Sequence, residues 1–333
     1  MRAHGLLRAR ALVCLLVVVA GLSAIGERSS IVSATGSPAA SLAQSAGRSP
    51  SPIQTILQNS KEGFADSGGV PIHFVTMGKG PLLTMIHGFP DFWFTWRDQM
   101  PALSQRFTVV AISQRGYDKS GQPTGVEHYT MAKLTADVDA VRRHFGADKA
   151  VVVGHDWGGW VAWSYAMAYP DKIDRLVVVN LPHPKGIEHE LATNPQQAQN
   201  SQYARNMQEP DSAAKVDVAA MVDRLAARYT DPDLKRMMRE AFSRSSVEAM
   251  HSYYKNNYPR PPYTEGRQYP PVKCTVLQFH GLADTALLPG MLNDTWKWIE
   301  KDLTLVTIPG VGHWAHNDAA DLVTKTMDGW LAR

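Results

Sequence analysis

Cysteine is nearly absent from this chain. Only Cys14 and Cys274 occur in 333 residues. That excludes a disulfide-built scaffold and a zinc site on paired thiolates. The body also lacks an excess of either charge. The formal net charge is +3, but residues 1–34 hold four Arg and one Glu, leaving 30 basic and 30 acidic groups in the other 299 residues. A nucleic-acid-binding surface therefore has no compositional support. Bilayer-length apolar runs are missing too. The main apolar run, uncharged from Ala11 to Gly26, has 16 residues, short of the roughly 20 that span a membrane. With Arg2, Arg8 and Arg10 before it, it reads as the core of an export signal.

What is present is ordinary globular material. Hydrophobic residues make up 44% and charged residues 20%, which excludes global disorder. Residues 1–34 are expected to be a signal peptide, with small residues at Ser23-Ala24 and Val32-Ser33-Ala34 for cleavage. An uncleaved anchor is the alternative. Export implies a periplasmic or extracellular protein. No Arg-Arg pair suggests a twin-arginine signal. From Ser29 to Pro52, 19 of 24 residues are Ser, Ala, Gly, Pro or Thr. Such a stretch buries too little apolar surface to offset its ordering entropy. Residues 35–59 are therefore expected to be a flexible linker.

From residue 60 the chain alternates strands and helices. Gly68-Gly69 reads as the turn of a β-hairpin. Short apolar runs follow at 81–86, 107–112, 149–153, 175–180, 274–279 and 303–308. Continuous hydrophobicity fits strands buried on both faces of a parallel sheet. Cys274 lies in one of these runs and is expected to be buried and inert. Thr130 can cap a helix running to about Phe145, and 319–331 closes the chain. The order implies an α/β core of mostly parallel strands flanked by helices, in two parts, 60–181 and 272–333. Residues 182–271 contain no convincing strand. Helical segments are expected at about 213–229, 233–243 and 246–256. Ligands in open α/β sheets bind beyond the carboxyl ends of the strands, so a helical cap inserted there would cover such a site.

The chemistry collects at strand ends. Gly154-His155-Asp156-Trp157-Gly158-Gly159 follows an apolar strand and opens a helix. Gly-x-nucleophile-x-Gly is the strained elbow that exposes a nucleophile above a sheet. Its centre here is Asp156, not Ser or Cys. A carboxylate attacking an acyl group would give an unstable anhydride, whereas attack on an sp3 carbon gives an ester. Asp156 therefore points to displacement at carbon, by epoxide opening or halide expulsion. A strand-end Asp that merely caps a helix is the bland alternative. His87-Gly88-Phe89-Pro90 follows an earlier strand. The backbone N–H groups of Phe89 and Trp157 are candidates for an oxyanion hole, while His87 is read as structural. Asp284 and His313 follow the last two strands and complete a triad of nucleophile, orienting acid and base. His316, the nearest competitor, is expected at the surface. Asn180 is not acidic and is a poor source of the orienting acid.

Taken together, HGFP, GHDWGG, GLAD (281–284) and GVGHW (310–314) resemble the α/β-hydrolase-fold epoxide hydrolases of the soluble type, over about residues 60–331. The resemblance implies that two cap tyrosines hydrogen-bond an epoxide oxygen. Tyr203 precedes Gln208-Glu209-Pro210, similar to one family segment. Tyr254, in Tyr253-Tyr254-Lys255, is similar to the other, with Tyr253 as its rival about 100° around the helix. It further implies a small-molecule epoxide and water as reactants, a vicinal diol as product, and no metal or organic cofactor. No stable partner is implied, and the oligomeric state is left open. The chain departs from the family at Asp118, where a glycine is usual, which puts the shape of that loop in question. A haloalkane or haloacetate dehalogenase would use the same triad, but Phe89 and Trp157 stand where those enzymes carry Asn or Arg. A non-catalytic binding protein on the same fold is the third reading.

Overall fold

The computed structural model describes residues 52–333. The expected signal segment and most of the expected linker lie outside the described residues. Eight strands form one sheet: β1 (Lys61–Ser67), β2 (Val70–Met77), β3 (Leu82–Ile86), β4 (Thr108–Ile112), β5 (Ala150–His155), β6 (Ile173–Val179), β7 (Thr275–Gly281) and β8 (Leu303–Ile308). Their order is β1-β2-β4-β3-β5-β6-β7-β8. β1 and β2 form an antiparallel hairpin that turns at Gly68-Gly69, and β2 runs antiparallel to β4. The other neighbours are parallel. Both glycines of the hairpin turn have positive φ, 63° and 88°, the backbone state glycine adopts without steric cost.

Burial follows strand position. Every residue of the central strands β3 and β5 is buried, as their unbroken apolar sequences require. The edge strand β8 alternates, and its Leu305 is exposed. The helix Trp157–Ala168, which follows β5, has no polar face. Trp157, Trp160, Val161, Trp163 and Tyr165 are all buried, because it is covered on every side. Thr130 occupies the capping position of the helix Met131–His144, but its side chain makes no capping bond.

One expectation fails at the start of the core. A helix, Pro52–Asn59, lies within the segment read as flexible linker. Ile53 and Ile56 pack into the core, Ile56 with no exposure. Two isoleucines three apart meet on one helical face, and their burial outweighs the polar composition around them.

Between β6 and β7 the described residues contain helices and no strand. They are Pro184–Thr193, Pro195–Asn200, Gln202–Met207, Val218–Ala227, Pro232–Ser243 and Val247–Asn257. The first three were not anticipated. Their signal was local: Pro184 and Pro195 sit at the first helical position, where a missing N–H costs nothing. Asn194 accepts from the N–H groups of Gln196 and Gln197. The expected helix over 213–229 is broken. A 3-10 turn at Ala213–Lys215 precedes Asp217, whose side chain caps the helix that begins at Val218.

Asp118 resolves the question of the loop after β4. It takes φ +49°, the left-handed region that Asp tolerates better than most residues. Its buried carboxylate receives Arg244 Nε at 2.8 Å and Ser113 Oγ at 3.3 Å. The loop thereby gains a link to the helical insertion that a glycine would not supply.

Candidate active site

Asp156 stands between β5 and the following helix with φ 50° and ψ −122°. A non-glycine residue there carries strain of about 1–3 kcal/mol, held by its surroundings. The flanking glycines serve close approach. A Cβ on Gly154 would lie 2.2 Å from the Gly158 carbonyl, and one on Gly158 would lie 2.2 Å from the Ile86 carbonyl. A Cβ on Gly88 would meet the Asp156 Cβ at 2.4 Å. The motif glycines thus let the elbow sit against the end of β3 and bring the His87–Pro90 loop onto the carboxylate.

That loop supplies a donor. Phe89 N–H donates to Asp156 Oδ1 at 2.6 Å. The N–H of Trp157 belongs to the first turn of its helix, where backbone donors lack intrahelical acceptors. His87 is buried and bonded on both nitrogens: Gln114 N–H donates to Nε2 at 2.9 Å, and Nδ1 lies 2.7 Å from the Gly88 carbonyl. Burial lowers it to about 4. It shapes the loop.

On the other side, His313 Nε2 lies 3.4 Å from Asp156 Oδ2, and Nδ1 lies 2.7 Å from Asp284 Oδ2. Burial lowers the affinity of His313 for a proton. Asp284 and Asp156 more than reverse this and push it up to about 10. Burial likewise works against the Asp284 charge, yet His313, Asn180 and the Leu287 N–H hold its carboxyl below the usual value. Asp284 Oδ1 accepts from the N–H groups of Ala286 and Leu287 at 2.8 and 3.0 Å.

Two supporting residues escaped the sequence reading. Asn180 Nδ2 donates to Asp284 Oδ2 at 2.9 Å and to the Gly312 carbonyl at 3.3 Å. It contributes an amide that fixes the acid rather than an acid of its own. Its signal was its place, at the end of the last apolar run before the helical insertion. His155 Nε2 donates to the His313 carbonyl at 2.9 Å, tying the loop that carries His313 to the end of β5. His316 is not at the surface. It is fully buried, with Nε2 2.7 Å from Thr95 Oγ1 and its ring 4.4 Å from that of His155. The short helical turn Ala315–Asp318 points it inward, and burial holds it well below its ordinary value.

The inserted helices place aromatic rings over the carboxylate. Tyr254 is buried, with its ring centroid 4.8 Å from Trp157 and 5.5 Å from Phe89. Tyr203, half-buried, lies 6.1 Å from Tyr254. Burial raises both phenols well above 10, and for each the Asp156 carboxylate adds to the effect. Both therefore carry their protons at neutral pH. The Trp157 side chain beside Tyr254 partly offsets the rise there. Tyr253 is placed differently. Its hydroxyl donates to the Arg115 carbonyl at 2.8 Å and is fully buried. Cys274 is buried as expected, and burial pushes its thiol up to about 12.

Comparison with known proteins agrees with this architecture. Residues 81–320 match the family model described as the alpha/beta hydrolase fold. Epoxide hydrolase 1 of Caenorhabditis elegans is 31% identical over 275 residues, which cover 79% of this chain and 68% of that protein. Epoxide hydrolase 3 of Xenopus tropicalis is 28% identical over 276 residues, 79% of this chain and 75% of that one. The crystal structure of a Bacillus megaterium epoxide hydrolase with an inhibitor superposes with a TM-score of 0.75 at 26% identity, covering 81% of this chain and all of that one. With an aspartate at the elbow and relatives of this kind across most of its length, the chain belongs to the α/β-hydrolase fold family, among its epoxide hydrolases.

Proposed function

We propose that the protein adds water to a small-molecule epoxide, giving a vicinal diol through an ester on Asp156. One observation carries the reading. The Asp156 carboxylate has one oxygen on a backbone N–H and the other facing His313, beneath two protonated phenols. Asp156 Oδ2 attacks an epoxide carbon and the ring C–O bond breaks. The departing oxygen is a strong base, and the hydroxyls of Tyr203 and Tyr254 donate to it as charge develops. The carboxylate is now a neutral ester, so His313 has lost one of the two charges that held its proton. His313 gives up that proton, which makes good the one the phenols pass to the ring oxygen; its Nε2 then takes a proton from water, and the resulting hydroxide attacks Cγ. The oxyanion forms at Oδ1, against the N–H groups of Phe89 and Trp157. Its collapse expels the second diol oxygen, which takes the proton from His313, and the Asp156 carboxyl so formed passes its own proton to Nε2, restoring the starting pair.

Replacing His313 by Gln separates the steps. The variant should accumulate one alkyl group per chain on Asp156 when mixed with an epoxide, detected by intact and peptide mass. Full turnover by that variant would remove His313 from the mechanism. The same site serves halide displacement poorly, because a halide leaves as a weak base and has no use for two phenol donors. We propose further that residues 1–34 direct export. The support is their three arginines ahead of an uncharged apolar run. Mature protein lacking about 24–34 residues is expected, and recovery of the intact chain in membranes would favour an anchor.

A further inference from the structure

The inserted helices hold a second feature that the reaction does not use. A cavity of about 460 Å³ opens beside Tyr203, with Ser212, Val216 and His251 in its wall. That is within the size range of small-molecule sites. Glu209 and Lys215 also line it and are exposed, so they stand at its mouth. His251 and Ser212 are buried, at 3% and 6% exposure. Tyr203 therefore borders both this cavity and the ring cluster above Asp156.

The hydrogen bonds fix what His251 offers. Ser212 Oγ donates its single proton to the Met207 carbonyl at 2.8 Å. His251 Nδ1 lies 2.8 Å from the same Oγ. With the serine proton committed, Nδ1 must be the donor of that contact. The proton of the neutral ring then sits on Nδ1, and Nε2 is left as an acceptor. Nε2 makes no hydrogen bond among the described residues. Burial disfavours the imidazolium and lowers the ring to about 4, with the Lys255 charge adding to the effect and Glu248 opposing it. An ammonium ligand would have to shed its water to reach this neutral floor, which is costly. A neutral O–H or N–H loses less.

We propose that this cavity is a specificity subsite that takes the distal arm of the substrate and recognises a neutral hydrogen-bond donor, a hydroxyl or an amide N–H, through His251 Nε2. The proposal rests on the epoxide reading above. It assigns the enzyme to epoxides that carry an apolar arm ending in such a donor. Tyr203 would hold the epoxide oxygen while the arm lies along its other side.

The test compares two terminal epoxides of equal chain length, one ending in a hydroxyl and one in its methyl ether. The parent should prefer the hydroxyl in kcat/KM by roughly threefold to tenfold, the worth of one neutral hydrogen bond. His251→Leu should bring that ratio close to one. A parent without the preference, or a variant that keeps it, overturns the subsite. Val216→Trp, which adds bulk to the wall, should raise KM for a long epoxide more than for a short one. Equal changes count against the proposal. A calorimetric arm is independent of the chemistry at Asp156: hexan-1-ol should bind the parent more tightly than hexyl methyl ether does, and His251→Leu should remove the difference. If the parent opens neither epoxide, the reaction reading fails, and this binding result alone upholds or overturns the subsite.

Discussion

The sheet side and the cap side of the site are held by different forces. On the sheet side, Asp156, Asp284 and His313 stand beyond the ends of the parallel strands β5, β7 and β8. Each is pinned by hydrogen bonds of 2.6–2.9 Å to neighbours that also follow strands, and His313 faces Asp156 at 3.4 Å. On the cap side, Tyr203 and Tyr254 are positioned by ring packing on short helices, and Tyr203 makes no hydrogen bond through its hydroxyl among the described residues. The contrast fits two tasks. An acid–base pair needs fixed geometry, because proton transfer falls off steeply with misplacement. A donor to an arriving oxygen must keep its own proton uncommitted until that oxygen comes.

The comparison predicts that damage on each side falls on a different step. Asp284→Asn should give the largest effect. It leaves a neutral group beside His313 and disturbs the orientation of the ring. Ester hydrolysis should slow on the order of 10⁴-fold, as in other triads, while the alkylation burst persists in rapid-quench mass measurements. Loss of the burst with hydrolysis intact would invert the division between the two sides.

Tyr254→Phe and Tyr203→Phe should act on the other step. Loss of one transition-state donor costs roughly 2.7–4 kcal/mol, so each variant should slow alkylation on the order of 10²–10³-fold. The double variant should nearly abolish it, with the fold intact because Phe fills almost the same volume. A double variant that opens epoxides at the parental rate would remove the cap from the chemistry.

pH sharpens the comparison further. In the free enzyme His313 is raised to about 10, burial opposing and Asp284 and Asp156 raising it. Such a group stabilises the fold below its unfolded value of 6.5 and loses that contribution as pH rises through about 10. The thermal midpoint should therefore fall more over this window in the parent than in His313→Gln. Alkylation neutralises Asp156, so the ring should titrate lower in the ester. Single-turnover hydrolysis should then rise with pH and level off below the free-enzyme titration seen by histidine NMR. Coincident midpoints would show that Asp156 has little part in holding that proton.

The smallest effect is expected at Tyr253. Its hydroxyl serves the Arg115 carbonyl, so Tyr253→Phe should cost about 0.5–1.5 kcal/mol of stability in denaturant titrations. Alkylation should stay within a few-fold of the parent. A loss as deep as that of Tyr254→Phe would mean the two rings had been assigned in the wrong order.

Much of the sheet was legible because its determinants are local. Buried parallel strands must be continuously apolar, and runs such as Val151-Val152-Val153 admit few other readings. Gly154, Asp156 and Gly158 were equally readable, since close approach at an elbow tolerates no side chain at the flanking positions. The short helices over 184–207 were missed because their apolar residues do not recur over enough turns to show a period. The helix Pro52–Asn59 was hidden in a polar, proline-containing stretch, and two isoleucines decided it.

The sequence by itself determined the fold class, the succession of strands along the chain and the residue types at their ends, because hydrophobic period and steric need are written residue by residue. Tertiary structure alone decided the rest. It turned Tyr254 toward Asp156 and Tyr253 away, since a 100° step on a helix has no meaning until the helix is packed. It made Asn180 a partner of Asp284 and drew His316 inward, because contacts across more than a hundred residues depend on which strand ends become neighbours. It also put His251 in the wall of a cavity and against Ser212, 39 residues away, whose one proton goes to the Met207 carbonyl.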